Sequence, residues 1–321
     1  MTKRYFTKLC LLLLMVAMLP LQVFAVEAPI TIVTTNFPSF DLARSVAGDT
    51  ANISMLLPPG AESHSYEPTP QDIITIQNAD LFIYTGSESD HWIDGILSSF
   101  GENSPRTFSL MAHVRLLEED LSASMEHAHD HAHDENCDHD PEHEAVEMDE
   151  HVWTSPVNVI LLAEKLSAAL QEICPESTSV YVQRLDNYLN ELNELDAAFR
   201  SIVANSERKL LIFGDRFPMR YFANEYGLQY DAAFPGCSED SEPSVRTVIS
   251  LIDTVRAQQI PVICHIEFSS RRTADILAEE TGAVPMLFHS CHNVSAEEIE
   301  AGATYLSLMW NNVEVLKEAL N

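Results

Sequence analysis

The chain has 321 residues, 46% of them apolar, with 18 Lys+Arg set against 49 Asp+Glu and a formal net charge of −31 at pH 7. That length and composition supply buried cores for one large domain or two ordinary ones. The charge argues against nucleic acid and anionic membrane as partners and favours cations.

The first 25 residues stand apart. Lys3, Arg4 and Lys8 precede an apolar stretch from Leu9 to Leu19, followed by Pro20 and then by Val23, Phe24 and Ala25, with small residues at the expected cleavage positions. This is the pattern of a secretory signal peptide cut after about Ala25, and it predicts an exported, periplasmic protein. The apolar stretch is short for a membrane span, and nothing later in the chain reaches about 18 uninterrupted apolar residues. No direct membrane insertion of the mature chain is therefore expected. Cys10 lies too early in the signal for lipid attachment, which favours a free over an anchored protein. Beyond the signal stand Cys137, Cys174, Cys237, Cys264 and Cys291, an odd number that leaves at least one thiol free or ligating a metal.

From Pro29 onward, strand-like and helix-like segments alternate, the pattern of an α/β protein with largely parallel sheets. Strands are predicted at 30–35, 52–57 and 81–85, and again at 209–213, 229–233, 261–266 and 284–288. The two sets predict two similar α/β lobes, residues 26–175 (the metal-binding N-terminal lobe) and 207–321, joined by a helix over 176–206. That linking segment holds no proline or glycine, and Tyr181, Leu185, Tyr188, Leu192, Leu195, Phe199 and Ile202 recur every third or fourth position. An amphipathic helix roughly 45 Å long fits a rigid spine between lobes. A coiled-coil dimer is the weaker reading, because the stripe does not extend beyond about four heptads. A monomer is expected.

One run breaks this pattern. "EHAHDHAHDENCDHDPEH", Glu126 to His143, carries His127, His129, His131, His133, His139, His143 and Cys137 among carboxylates, with no lysine or arginine. Its lack of apolar residues excludes a packed core and predicts a solvated loop over about 118–149. Imidazole, thiolate and carboxylate together are ligands for borderline-soft transition metals. Composition alone leaves open whether the run is the working site or an accessory to another one.

Open α/β sheets bind ligands at the carboxyl ends of their strands, so histidines just beyond those ends are the candidates. The strand ending at Leu57 runs into "PPGAESHSYEPTP", which presents His64. After the histidine run comes "DEHVWTSP", with His151 flanked by acids and Trp153. The strand ending at Phe288 leads into "HSCHN", with His289, Cys291 and His292. His91, His113 and His265 have no comparable setting and read as ordinary surface or core histidines.

"PPGAESHSYEPTPQDI", "DEHVWTSPVNV" and the single long helix resemble the exported zinc- and manganese-binding solute-binding proteins of ABC transporters, the cluster A-I family, over essentially the whole mature chain. The resemblance implies two α/β lobes facing each other across a cleft, joined by one rigid helix, and a membrane permease as partner. It places ligands at His64 and His151 and a His-rich acidic loop where Glu126 to His143 falls. The second half departs from the family pattern, since "FGDRFPMRYFANEYGL" carries Gly214 where a ligand is expected, with Asp215 beside it as a substitute. His289 stands in place of the family's late aspartate, His292 and Cys291 are alternatives in a shifted loop register, and Glu267 matches a position that orients a ligand. Cys237 and Cys291 both follow strand ends of the same lobe and form a candidate disulfide.

Three histidines with a carboxylate or water suit tetrahedral Zn²⁺, whereas Mn²⁺ prefers more oxygen ligands. The expected cargo is therefore Zn²⁺ ahead of Mn²⁺, captured for import and collected by the histidine run as an accessory. A manganese-specific protein of the same class and a zinc buffer or chaperone without a transporter remain alternatives. A secreted zinc hydrolase is disfavoured by the lack of an HExxH motif, and no enzymatic activity is expected.

Overall fold

The computed structural model of the chain describes residues 29–61, 66–119, 147–235 and 243–321. The signal segment, His64, the six histidines of the acidic run, Cys137 and Cys237 lie outside the described residues. Among those described, no helix is long and apolar enough to cross a membrane.

The N-terminal half alternates β1 (Ile30–Thr34), α1 (Phe37–Ala47), β2 (Ala51–Met55), α2 (Pro70–Gln77), β3 (Leu81–Tyr84), α3 (Trp92–Phe100) and β4 (Arg106–Ser109). α4 (Pro156–Ile173) and α5 (Thr178–Asn205) follow. The C-terminal half runs β5 (Leu210–Phe217), α6 (Arg220–Tyr226), β6 (Gln229–Pro235), α7 (Val245–Gln258), β7 (Val262–His265), α8 (Arg272–Thr281), β8 (Val284–Leu287), α9 (Ala296–Glu300) and α10 (Tyr305–Leu320). Each half builds a four-stranded sheet, in orders β2-β1-β3-β4 and β6-β5-β7-β8, and every strand pair is parallel. Two α/β lobes of the same construction result. The central strands β3 and β7 are nearly continuous apolar runs, as strands covered on both faces must be, while edge strand β2 alternates between half-buried and exposed positions.

In both lobes the chain leaves β1 or β5 to one side and returns past it to β3 or β7. A crevice forms where the order reverses, outside the carboxyl ends of the two central strands. In the first lobe Asn36, just after β1, donates from Nδ2 to Thr85 Oγ1 just after β3 at 2.9 Å, and also caps α1 by accepting from Ser39. In the second lobe Asp215 near the end of β5 accepts from the Ile266 N–H after β7 at 3.2 Å.

α5 spans 28 residues, about 42 Å at about 1.5 Å per residue. Tyr181, Tyr188, Leu192, Leu195, Phe199 and Val203 are its buried stripe, packed against α1, α4 and α10. The same apolar core continues from Ile32 and Phe37 of the first lobe through this stripe to Phe213, Phe222 and Phe288 of the second. Polar ties reinforce the junction, with Tyr305 N–H donating to Asp41 Oδ2 at 2.9 Å and the Arg44 guanidinium donating to the Ala303 carbonyl.

The register of β5 against β6 shifts between Phe213 and Arg216, at Gly214 and Asp215. There α8 lies so close that a Cβ on Gly214 would meet Ala274 Cα at 2.5 Å and Ala274 N at 2.7 Å. The obstacle is backbone, which cannot swing aside. Glycine is required at 214 by packing, which accounts for the missing side chain at that point of "FGDRF". Gly214→Ala is expected to destabilise the fold by about 1–3 kcal/mol, read as a lowered urea midpoint; an unchanged midpoint would contradict the close approach.

Candidate metal centre

Glu150, His151 and His292 come together, with one ligand atom of each within 4.8 Å of the others. They arrive from the two ends of the fold. Glu150 and His151 precede α4, and His292 lies in the loop between β8 and α9.

The local sequence fixes the first pair. Asp149 accepts the His151 backbone N–H at 2.8 Å and lies 3.2 Å from its Nδ1. A carboxylate there keeps the proton on Nδ1 and leaves Nε2 as the lone-pair end of the neutral ring. Thr154 then closes a short turn by donating to the His151 carbonyl from both N–H and hydroxyl, at 3.0 and 2.8 Å. Ser155 caps α4 with Pro156 at its first turn. His151 is 1% exposed and Glu150 4%. Burial disfavours a charged His151 ring, but Asp149, Glu150 and Glu119 outweigh it and leave its pKa raised. The site is strongly electronegative.

His292 is set by Glu267, whose carboxylate accepts from the Ser290 N–H at 2.8 Å, the Ser290 hydroxyl at 2.5 Å and the His292 N–H at 3.2 Å. The loop also closes the lobe junction. Asn293 Nδ2 donates to the carbonyls of Pro58 and Ala61 at 2.9 Å each, Gly60 N–H donates to the Val294 carbonyl, and Trp153 Nε1 donates to the Ser290 carbonyl at 2.9 Å. The His292 ring centroid lies 5.0 Å from that of Trp153 and 5.2 Å from that of His151.

The other expected residues fall elsewhere. His289 is not in the cluster. Its Nδ1 accepts the Cys291 N–H at 2.9 Å, its backbone is clamped on both sides by Asn312, and its Nε2 points toward Glu298 Oε1 at 3.6 Å. Asp215 is 7% exposed and engaged with the N–H groups of Arg216 and Ile266. Burial raises its pKa against those hydrogen bonds. Cys291 stands as a free thiol, fully buried in the apolar core with a left-handed backbone (φ 61°), and Cys237, its candidate disulfide partner, lies outside the described residues. His64 lies outside the described residues, but the Pro58–Ala61 segment before it is tied to the His292 loop as above. Glu150 had not been singled out. Its signal was present in "DEH", an acid directly beside a candidate histidine, masked by the abundance of acids throughout the chain.

The histidine run lies outside the described residues, while both of its roots are described. Glu118 and Met148 form an antiparallel bridge, Glu119 N–H donates to the Glu147 carbonyl, and Asp149 N–H donates to the Leu117 carbonyl. The described residues on either side of the run are thus paired with each other just before Glu150 and His151. Burial first, then the charges of Glu119, Glu150, Glu88 and Asp149, push the Glu147 carboxyl up.

The His289–Glu298 pair supports the loop and has a pH signature. The His289 ring, against the opposing effect of burial, holds Glu298 down at about 2. A depressed acid stabilises the fold above its unfolded value and loses that effect as pH falls. The melting-temperature difference between wild type and Glu298→Gln should be full above pH about 4.3, the unfolded value, and shrink as pH falls toward about 2. A difference that does not vary with pH below about 4.3 would show that Glu298 is not held as a carboxylate.

Residues 32–319 match the family described as ZnuA, zinc-uptake complex component A, periplasmic. The high-affinity zinc uptake system protein ZnuA of Bacillus subtilis (strain 168) is 31% identical over 289 residues, which cover 90% of this chain and 87% of that protein. The zinc-binding lipoprotein AdcA of Streptococcus pneumoniae (strain ATCC BAA-255 / R6) is 29% identical over 292 residues, 91% of this chain but 56% of that protein. The chain thus spans little more than half the length of the streptococcal relative. The crystal structure of the Zn(II)-bound ZnuA-like domain of that AdcA aligns with a TM-score of 0.74 at 28% identity, covering 91% of this chain and 99% of the domain. On the extent of these matches and on its paired parallel sheets, the chain belongs to the ZnuA family.

Proposed function

We propose that this protein captures Zn²⁺ between its two lobes and delivers it to the permease of an ABC transporter for import. The observation that carries the reading is the meeting of Glu150 and His151, both buried, with the half-buried His292, two imidazoles and a carboxylate where the first lobe meets the second. That donor set suits zinc, whose usual ligands are imidazole nitrogen, thiolate and carboxylate oxygen. His64 supplies a further imidazole from the loop beyond Ala61. The relatives' names and the Zn(II)-bound domain of S. pneumoniae AdcA support the choice of metal.

Residues 26–175 and 207–321 act as the two jaws, with α5 as the stiff element between them. The stiff spine limits hinge motion, so closure works through local loop ordering more than through swinging of whole lobes. The histidine run, rooted beside Glu150, collects zinc weakly and raises its concentration at the site. Signal cleavage after about Ala25 places the protein outside the cytoplasm, where a permease reads the closed form. The reading is of a transport component and not an enzyme.

Calorimetric titration of the metal-free mature protein with Zn²⁺ tests this. Wild type is expected to show one tight site with weaker ones, a His151→Ala/His292→Ala variant to lose only the tight site, and a deletion of 126–143 to lose only the weak ones. A tight site that survives in the double variant would transfer the function to the histidine run. Glu267→Gln, which touches no metal in this reading, should weaken the tight site by about 10–100-fold through loss of His292 placement.

A further inference from the structure

The residues on either side of His292 are tied to the first lobe. Trp153 donates to the Ser290 carbonyl, and Asn293 donates both hydrogens of its amide, one to the Pro58 carbonyl and one to that of Ala61. The Asn293 amide is fully engaged, because its Oδ1 also accepts the Val294 N–H at 2.8 Å, and the residue is buried. What it grips is stiff. Pro58, Pro59, Gly60 and Ala61 form a turn closed by the Ala61 N–H on the Pro58 carbonyl at 3.1 Å, with Gly60 at φ 76°, the place where a type II turn demands glycine. The two prolines remove backbone freedom. The N–H groups of Leu56 and Leu57 donate to the carbonyls of Thr34 and Thr35, which carries the pairing of β1 with β2 up to the turn. Gly60 returns a further bond, from its N–H to the Val294 carbonyl at 2.9 Å. A stiff, exposed turn of the first lobe is thus held by a buried side chain of the second.

We propose that the Asn293 amide is a latch on the cargo, a positioning residue that touches no metal and sets how fast the metal leaves. The inference rests on Glu150, His151 and His292 acting as ligands. A loop pinned on both sides of His292 does not carry that ring away from Glu150 and His151 until the pins break. Rotation of the ring alone is checked by Trp153, whose indole centroid lies 5.0 Å from it. Departure of the metal therefore waits on the two bonds of the amide. Arrival does not, because the acids from Glu147 to Glu150 all belong to the first lobe and draw a cation there before the loop closes on it. Contacts completed after the encounter act on dissociation more than on association.

The probe is Zn²⁺ itself with the full mature chain. Release is timed by mixing the zinc-loaded protein with excess of a chelator that changes colour on binding zinc. Capture is timed by mixing the metal-free protein with Zn²⁺ and following indole fluorescence, since Trp153 lies against both imidazoles. Asn293→Leu, uncharged and of similar size, is expected to speed release about 10-fold, the effect of losing two neutral hydrogen bonds, and to leave the rate of capture unchanged. That split between the two rates is the readout that a merely structural role would not produce. Unchanged release, or capture slowed as much as release is quickened, overturns the proposal. If Asn293→Leu fails to fold, Gly60→Ala decides from the other side of the gap. Its left-handed φ disfavours alanine, while the nearest atom a Cβ would meet is on the Phe268 ring at 3.9 Å, so the turn is disturbed without a clash. The same split is expected there, and its absence is equally fatal. His292→Ala separates the two failures. Unaltered Zn²⁺ binding by that variant removes the cluster reading and this inference together, while loss of binding beside an indifferent Asn293→Leu or Gly60→Ala removes the latch alone.

Discussion

The carboxylate of Glu267 is the constraint on which the rest of the site depends. It gathers three donors from Ser290 and His292, and so decides the path of the loop beyond β8. That path determines which histidine faces Glu150 and His151, where Asn293 meets the first lobe, and where the Ser290 carbonyl receives Trp153. A carboxylate that satisfies several N–H and O–H groups is a charge-assisted anchor, roughly twice as strong per bond as a neutral one. One side chain thereby couples metal-site geometry to lobe contact.

Charge gives the site its second character. Glu119, Glu147, Asp149 and Glu150 crowd the segment between the roots of the histidine run and α4, with Glu88 near enough to act on Glu147. Like charges gathered in a partly desolvated place are unfavourable alone, and a divalent cation relieves them. The acidity of the chain as a whole steers cations loosely; this concentration is local and directional. It also explains why a buried histidine at 151 has a raised pKa, since the carboxylates around it outweigh the cost of burial.

Much of the architecture was legible in the sequence because it rests on periodicity. The seven predicted strands all form, with boundaries shifted by up to four residues, and the stripe from Tyr181 to Phe199 made α5 plain. β4 was missed because Arg106–Ser109 is short, half exposed and carries a single buried apolar residue. His151 stood out through its motif. The choice between His289 and His292 was not readable, because it depends on partners distant in the chain: Asn312 holds the His289 backbone and Glu267 holds that of His292. Glu150 escaped notice for a compositional reason, as one carboxylate in an acidic chain gives no contrast. The burial of the Cys291 thiol was not legible because strand-end position does not reveal which way a left-handed residue turns its side chain.

The shared core has a thermodynamic consequence. Apolar packing runs without interruption from Ile32 through the α5 stripe to Phe288, while each lobe also keeps a smaller core of its own, around Phe82 and Ile93 in the first and Ile212 and Leu251 in the second. A ligand held at the junction therefore bears first on the core that the two lobes share. By mass action a cargo at one hundred times its dissociation constant adds about 2.7 kcal/mol to the whole chain. A protein built this way records its load as resistance to unfolding, so the loaded and empty populations differ in lifetime as well as in shape.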